Sequence, residues 1–353
     1  MEDRRRTPCR GAMVKLLALT ALVSLAPAPA SLAQDSAHVS ASRGRSRVEP
    51  LVRAADFAKP HEAVQVASDR RLNLFCIGEG GTTVLFDAGG SDWSSIWALV
   101  QPEVAKRTKA CSYDRAGLGY SDPAKGFRSP VAIVADMHAL IHRGGLGTPL
   151  VLVGHSLGGF NVKLYAALHP EDVAALVLVD PAEQLTPERT RAYIQRRLGK
   201  LIASRVELED VDGVRGLMKH FQDCASETRR LGRLVPGSDV YRRCTDPVRP
   251  ALGPEIAAER LRLQVTQAYQ DAQASEVVNS VYGEPRFDAG YKRLFVRGML
   301  GDRPMIVLSH GLHDVDDPLE VADFEAGLLL HRETAGLSRR GRQRTVPGTT
   351  HNI

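Results

Sequence analysis

Nine residues, Val151-Leu-Val-Gly-His-Ser-Leu-Gly-Gly159, constrain this chain more than any other stretch. An apolar run of strand character leads into Gly154-His-Ser156-Leu-Gly158, and a helix-forming stretch then runs to His169, where Pro170 stops it. Five-residue G-x-S-x-G patterns recur by chance. Between a strand and a helix, however, the pattern has a physical reading. The chain reverses so sharply there that backbone crowds the positions two before and two after the serine, and glycine is the residue that fits. The turn presents the Ser156 hydroxyl at its tip, with the unpaired N–H groups and partial positive charge of a helix N-terminus behind it. A serine hydroxyl is a poor nucleophile until its position is fixed and a base takes its proton. The competing reading is a glycine-rich turn whose serine is incidental.

The surrounding pattern places that turn in a layered α/β architecture. Ala63–Ala67 and Leu72–Cys76 read as a strand pair joined by a hairpin. Further strands are predicted at Thr83–Phe86, Lys109–Tyr113, Pro149–Val153 and Ala174–Val179, with helices from Trp93 to about Arg107, from Ser129, and from Ser156 to His169. Most of these strands are apolar without alternation, and helices lie between them, which implies a mostly parallel sheet covered on both faces. Residues 182–300 then carry long helical stretches and no strand pattern. The rhythm resumes with a strand at Pro304–Leu308, a helix from about Pro318 to Leu337 and a last strand at Gln343–Val346. The helical stretch is therefore an insertion into one α/β domain.

Acyl transfer at Ser156 needs partners, and the pattern offers candidates for each. Two N–H donors must hold a developing oxyanion. Leu157, directly after the serine, supplies one, and the glycine loop Asp87-Ala-Gly-Gly-Ser91 after the third strand supplies the other, with Gly90 the choice. The base should lie last in the order serine, acid, histidine. Of the eleven histidines only His351, in Val346-Pro-Gly-Thr-Thr-His351, has that place. His155 is read as shaping the turn. For the acid, Asp314 follows the seventh strand in Ser309-His-Gly-Leu-His-Asp314 and is preferred. Asp180 ends the sixth strand and is the alternative, with Asp316 and Asp317 minor candidates. Bland readings also exist: Asp180 would cap the turn before Pro181, and Asp314 would be a solvated loop acid.

Charge excludes little and favours little. Of the formal net charge of +5, three units lie in the first 33 residues, where Arg4, Arg5, Arg6, Arg10 and Lys15 face Glu2 and Asp3. The remainder is close to neutral, so no nucleic-acid or anionic membrane partner is indicated. Those first residues have the order of an export signal: a basic stretch, the apolar run Leu16–Leu25, and small residues ending at Ala33. Residues 1–33 are read as a signal peptide and 34–55 as a disordered linker, and an exported, periplasmic or secreted, protein with no stable membrane insertion after cleavage is expected. Four cysteines then remain, and they allow three pairings. Cys224–Cys244 and Cys76–Cys111 are favoured, although the latter two could be buried small hydrophobes. No CxxC and no His/Cys cluster has the spacing of a structural zinc site, so neither metal nor other cofactor is expected.

Gly154-His-Ser-Leu-Gly158, the run Tyr113-Asp-Arg-Ala-Gly-Leu-Gly-Tyr-Ser-Asp122 and the C-terminal Thr350-His351 together resemble the α/β-hydrolase superfamily, in its bacterial form with a helical lid. The resemblance spans residues 63–353. It implies an eight-stranded, mostly parallel sheet with helices on both faces, core segments at 56–181 and 301–353, and residues 182–300 as a lid. It also implies a serine hydrolase of the carboxylic-ester type acting on a small ester-like molecule through an acyl-enzyme. The same triad could serve amide or carbon–carbon hydrolysis or perhydrolysis. The chain departs from the family in ending two residues after His351, where related proteins continue with a helix. That departure supports a further alternative, an inactive binding protein.

Overall fold

The computed structural model describes residues 54–184, 186–282 and 285–353. The proposed signal and nearly all of the linker lie outside these residues. Eight strands form one sheet: β1 Glu62–Ala67, β2 Arg70–Ile77, β3 Val84–Asp87, β4 Ala110–Tyr113, β5 Leu150–His155, β6 Val173–Val179, β7 Met305–His310 and β8 Gly341–Val346. Their spatial order is β1-β2-β4-β3-β5-β6-β7-β8. The β1–β2 and β2–β4 pairs are antiparallel and the rest parallel. The eight-stranded, mostly parallel sheet read from the sequence is thus the fold.

Eleven helices accompany the sheet among the described residues: α1 Ala54–Phe57, α2 Gln101–Ala105, α3 Pro130–Arg143, α4 Leu157–Leu168, α5 Thr186–Leu198, α6 Lys200–Leu231, α7 Asp239–Cys244, α8 Pro254–Gln264, α9 Gln267–Val278, α10 Pro285–Leu294 and α11 Pro318–Ala335. Strand alternation divides the core in two. Leu85, Leu152, Leu176 and Leu178 face α3 and α4, meeting Met137, Leu140, Phe160 and Leu164. Val84, Phe86 and Val153 face the other way, onto Trp97, Val104 and Ala105. Both faces are covered, which is why these strands carry apolar residues at nearly every position.

The single helix expected from Trp93 to Arg107 is two pieces, a 3-10 turn Ser94–Leu99 and then α2. Pro102 sits in the first turn of α2 and lacks the N–H that would continue the preceding turn. By contrast α3 begins as expected, with Pro130 at its start and the Ser129 hydroxyl accepting from the Ala132 N–H at 3.3 Å.

Helices α5–α10 occupy the chain between β6 and β7. Two disulfides close, Cys76–Cys111 across the neighbouring strands β2 and β4, and Cys224–Cys244 between α6 and α7. The second is buried with Leu234 and Val265. Among the described residues no helix is long and apolar enough to cross a membrane.

Candidate active site

Ser156 sits between β5 and α4 with φ 51° and ψ −119°, a left-handed conformation that a residue with a side chain adopts at a cost. The glycines around it are sterically required. A Cβ on Gly154 would come within 2.3 Å of the Gly158 carbonyl oxygen, and one on Gly158 within 2.4 Å of the carbonyl oxygens of Asp87 and Ala88. The turn is held from both sides. The Ser156 N–H donates to Val179 O at 3.0 Å, and its carbonyl accepts from the Ala182 N–H at 2.9 Å.

Asp180 follows β6 directly, with a positive φ of 43°. It is 4% exposed. Oδ2 lies 2.6 Å from His351 Nδ1 and 2.8 Å from His310 Nδ1, and Oδ1 accepts from the His310 main-chain N–H at 3.0 Å. Burial by itself would raise this carboxyl's pKa. The hydrogen bonds from His351 and from His310, main chain and ring, outweigh it and hold the pKa down at about 2. An ionised carboxylate only accepts, so both rings present Nδ1–H to it and the His351 Nε2 lone pair is left open.

The structure therefore brings Asp180 to His351 and leaves Asp314, the preferred candidate, elsewhere. Asp314 is exposed. Its N–H donates to Glu320 at 3.0 Å and its Oδ1 accepts from the Asp316 N–H at 2.9 Å, both within its own loop and the helix that follows. Asp317 caps α11 by accepting from the Leu319 N–H at 2.8 Å. His310, the last residue of β7, meets the same Asp180 oxygen that His351 does.

His351 lies beyond β8 in a loop fastened by main-chain bonds, with the N–H groups of Gly311 and Leu312 donating to Thr349 O at 3.1 and 2.9 Å. His155 adds a side-chain fastening. Its Nε2–H donates to the His351 carbonyl at 2.9 Å, with the two rings 4.8 Å apart. Burial, and then the neighbouring His351, lower the His155 pKa, which keeps it a neutral donor. So His155, read from the sequence as shaping the turn, also tethers the histidine loop.

The loop after β3 lies against the same turn. A Cβ on Gly90 would sit 3.7 Å from Leu157 Cδ2, and one on Gly89 would sit 3.4 Å from Ser156 Cβ and 2.9 Å from His155 Nδ1. The loop is fixed by buried charge. Arg115 donates to Asp87 Oδ1 at 2.7 Å, to the carbonyls of Ala88 and Gly89, and to both Glu276 oxygens on α9. Asp92 is bridged by Arg260 at 2.7 Å and Arg249 at 3.1 Å. Nothing in the sequence pairs these residues, since 161 positions separate Arg115 from Glu276. Tyr282 was equally illegible: it belongs to no motif, yet its phenol lies beside Ser156.

The family profile described as "alpha/beta hydrolase fold" matches residues 82–320. The chain belongs to the α/β-hydrolase fold family. Among curated relatives, Lipase LipV of Mycobacterium tuberculosis is 45% identical over 67 residues, 19% of this chain and 25% of that protein. The (Lyso)-N-acylphosphatidylethanolamine lipase of Mus musculus is 35% identical over 89 residues, 24% of this chain and 26% of that one. Matched stretches cover 16%, 42% and 18% of three further curated relatives, so this hydrolase-fold chain spans less than half of their length. The crystal structure of lip1 from Acinetobacter baumannii AYE superposes with TM-score 0.54 at 16% identity, covering 84% of this chain and 86% of the other. At that identity it speaks for the fold alone.

Proposed function

We propose that this protein is a serine hydrolase that cleaves an ester-like bond in a small molecule, with Ser156 as nucleophile, His351 as base and Asp180 as the acid that orients it. One observation carries the reading. The left-handed turn that presents Ser156 shares a sheet edge with an imidazole whose Nδ1 is held 2.6 Å from a buried, ionised carboxylate. Such an arrangement fixes the tautomer, leaves Nε2 free to take a proton, and stabilises the imidazolium once it has done so.

On this reading Ser156 gives its proton to His351 Nε2 as substrate enters, and its Oγ attacks the ester carbonyl. The Leu157 and Gly90 N–H groups receive the oxyanion. His351 then protonates the leaving alcohol, and in the second half-reaction it activates water to release the acid. The local matches to two lipases support ester chemistry without naming a substrate. Residues 182–300 act as the lid over an α/β core at 56–181 and 301–353, since α9 reaches the glycine loop through Glu276 and Tyr282 reaches Ser156. Residues 1–33 act as an export signal, a reading supported by two disulfides that persist in an oxidising compartment.

Labelling with a fluorophosphonate probe tests this directly. Wild type is expected to label and to hydrolyse p-nitrophenyl acyl esters, and Ser156→Ala to do neither. A folded wild-type sample that resists the probe would overturn the reading.

A further inference from the structure

At the opposite end of α4 from Ser156, a second group of histidines converges on a buried carboxylate. His138 and His142 are four apart on α3, so they stand on one face a turn apart. Asp172 enters from the 3-10 turn after α4 with 5% of its side chain exposed. Its Oδ2 lies 2.9 Å from His142 Nε2 and 3.4 Å from His138 Nδ1. The three ligand atoms all lie within 4.8 Å of one another.

We propose that His138, His142 and Asp172 form a site for a divalent transition cation of the zinc class. A tetrahedral ion with bonds of about 2.0–2.1 Å spaces its ligands about 3.3 Å apart, and the two measured separations bracket that value. Two imidazoles and one carboxylate suit zinc and its neighbours rather than calcium or magnesium, which favour oxygen alone. The fourth position faces solvent, because the His138 and His142 side chains are 38% and 46% exposed.

The surroundings hold the carboxylate in place. Tyr165 donates to Asp172 Oδ2 at 2.6 Å, the kind of outer contact that orients a ligating carboxylate. His169 stacks on His138 with centroids 4.0 Å apart and fixes the plane of that ring.

Position argues for a structural role. Helix α4 has twelve residues, so the site is about 18 Å from the serine turn. An ion there would clip α3 to the turn that feeds β6, tying two elements that the chain connects only through β5 and α4. The spacing His138-x-x-x-His142 on a helix supplies half of the ligand set, and the expectation of no metal passed it over. Asp172, thirty residues beyond His142, completes it only in the fold.

Calorimetric titration of the chelator-treated, purified full chain with zinc chloride at pH 7.5 tests the site. One equivalent is expected to bind at micromolar concentration and to raise the melting temperature by about 5 °C at saturating ion. The exposed pair His138→Gln/His142→Gln should weaken binding about 100-fold, whereas His351→Gln should leave it intact. Cobalt substituted for zinc should show tetrahedral d–d bands that the double variant lacks. Binding that survives the double variant, or that disappears with His351→Gln, overturns the proposal. So does a wild-type titration without heat or melting shift up to about 100 μM.

Discussion

Asp180 receives three hydrogen bonds on a buried carboxylate, two of them from histidine rings that share one oxygen. If it orients His351, Asp180→Asn should lower kcat for an activated ester by about 10⁴ while the fold survives, because an amide cannot hold both rings in the Nδ1–H form. Asp314→Asn, in a solvent-exposed loop, should stay within about threefold of wild type. Equal losses in the two variants would return Asp314 to the site. The same carboxylate predicts an acid limb in stability. Its folded pKa of about 2 lies below the ordinary 3.8, so its contribution is present above about pH 4 and is lost as pH falls toward 2. Melting temperatures of wild type and Asp180→Asn should therefore converge between pH 4 and pH 2. Ser156 and His351 could be put forward from the sequence as the proposed nucleophile and base because strict local geometry and strand order mark them. The acid could not: each of β6 and β7 is followed by an aspartate, and only the positive φ at Asp180 and the intrusion of His310 decide which reaches the imidazole.

Elements were legible wherever one period dominated. Both faces of β3, β5 and β6 are apolar, and the N-cap at Ser129 marks the start of α3. Contacts between distant elements were not, because charge pairs such as Arg115–Glu276 leave no periodic trace. That pair makes a prediction about how α9 is joined to the core. Glu276 is fully buried against Arg115, and truncating one member of a buried pair leaves a guanidinium short of a partner. Glu276→Ala should lose about 3 kcal/mol in urea unfolding, and Glu276→Gln less. A wild-type midpoint for Glu276→Ala would mean that α9 docks without this contact. Helices α6 and α11 show the opposite tension. Glu209 and Asp323 line a cleft of about 420 Å³, and Asp210 adjoins them. Burial, Asp323 and Glu209 raise the Asp210 pKa to about 6. Between the ordinary 3.8 and about 6 the folded chain holds a proton that the unfolded chain has released, so this group favours folding at low pH and opposes it above about pH 6. Asp210→Asn should raise the melting temperature by about 2 °C at pH 7.5 and leave it unchanged at pH 4, a modest effect because the group is half open to solvent. A gain at pH 4 as large as at pH 7.5 would rule out relief of carboxylate repulsion.

For the whole molecule, the two disulfides divide their work between sheet and insertion. Cys76–Cys111 joins strands that are already hydrogen-bonded partners, so the contact it enforces is one the ladder makes anyway. Cys224–Cys244 closes a 20-residue excursion from α6 to α7, through a turn that the sheet does not touch. Constraining the unfolded chain over a loop of that length is worth about 3 kcal/mol. Cys224→Ser/Cys244→Ser should therefore lower the unfolding free energy by about that amount and expose the insertion to proteolysis before the core. The insertion is nonetheless held to the core by Arg115–Glu276 and by the Arg260 and Arg249 bridges to Asp92. If those bridges suffice, the double variant will still melt in one transition and retain the probe reactivity of Ser156. If the disulfide is what keeps α6 and α7 in place, limited proteolysis will remove the segment around 224–244 first, and Ser156 reactivity will fall with it because Tyr282 and Glu276 lose their support. Reductant applied to the wild-type protein should cost more than the double variant does, because opening Cys76–Cys111 also frees a 35-residue loop of the unfolded chain, even though the strand pairing of β2 and β4 persists in the folded one.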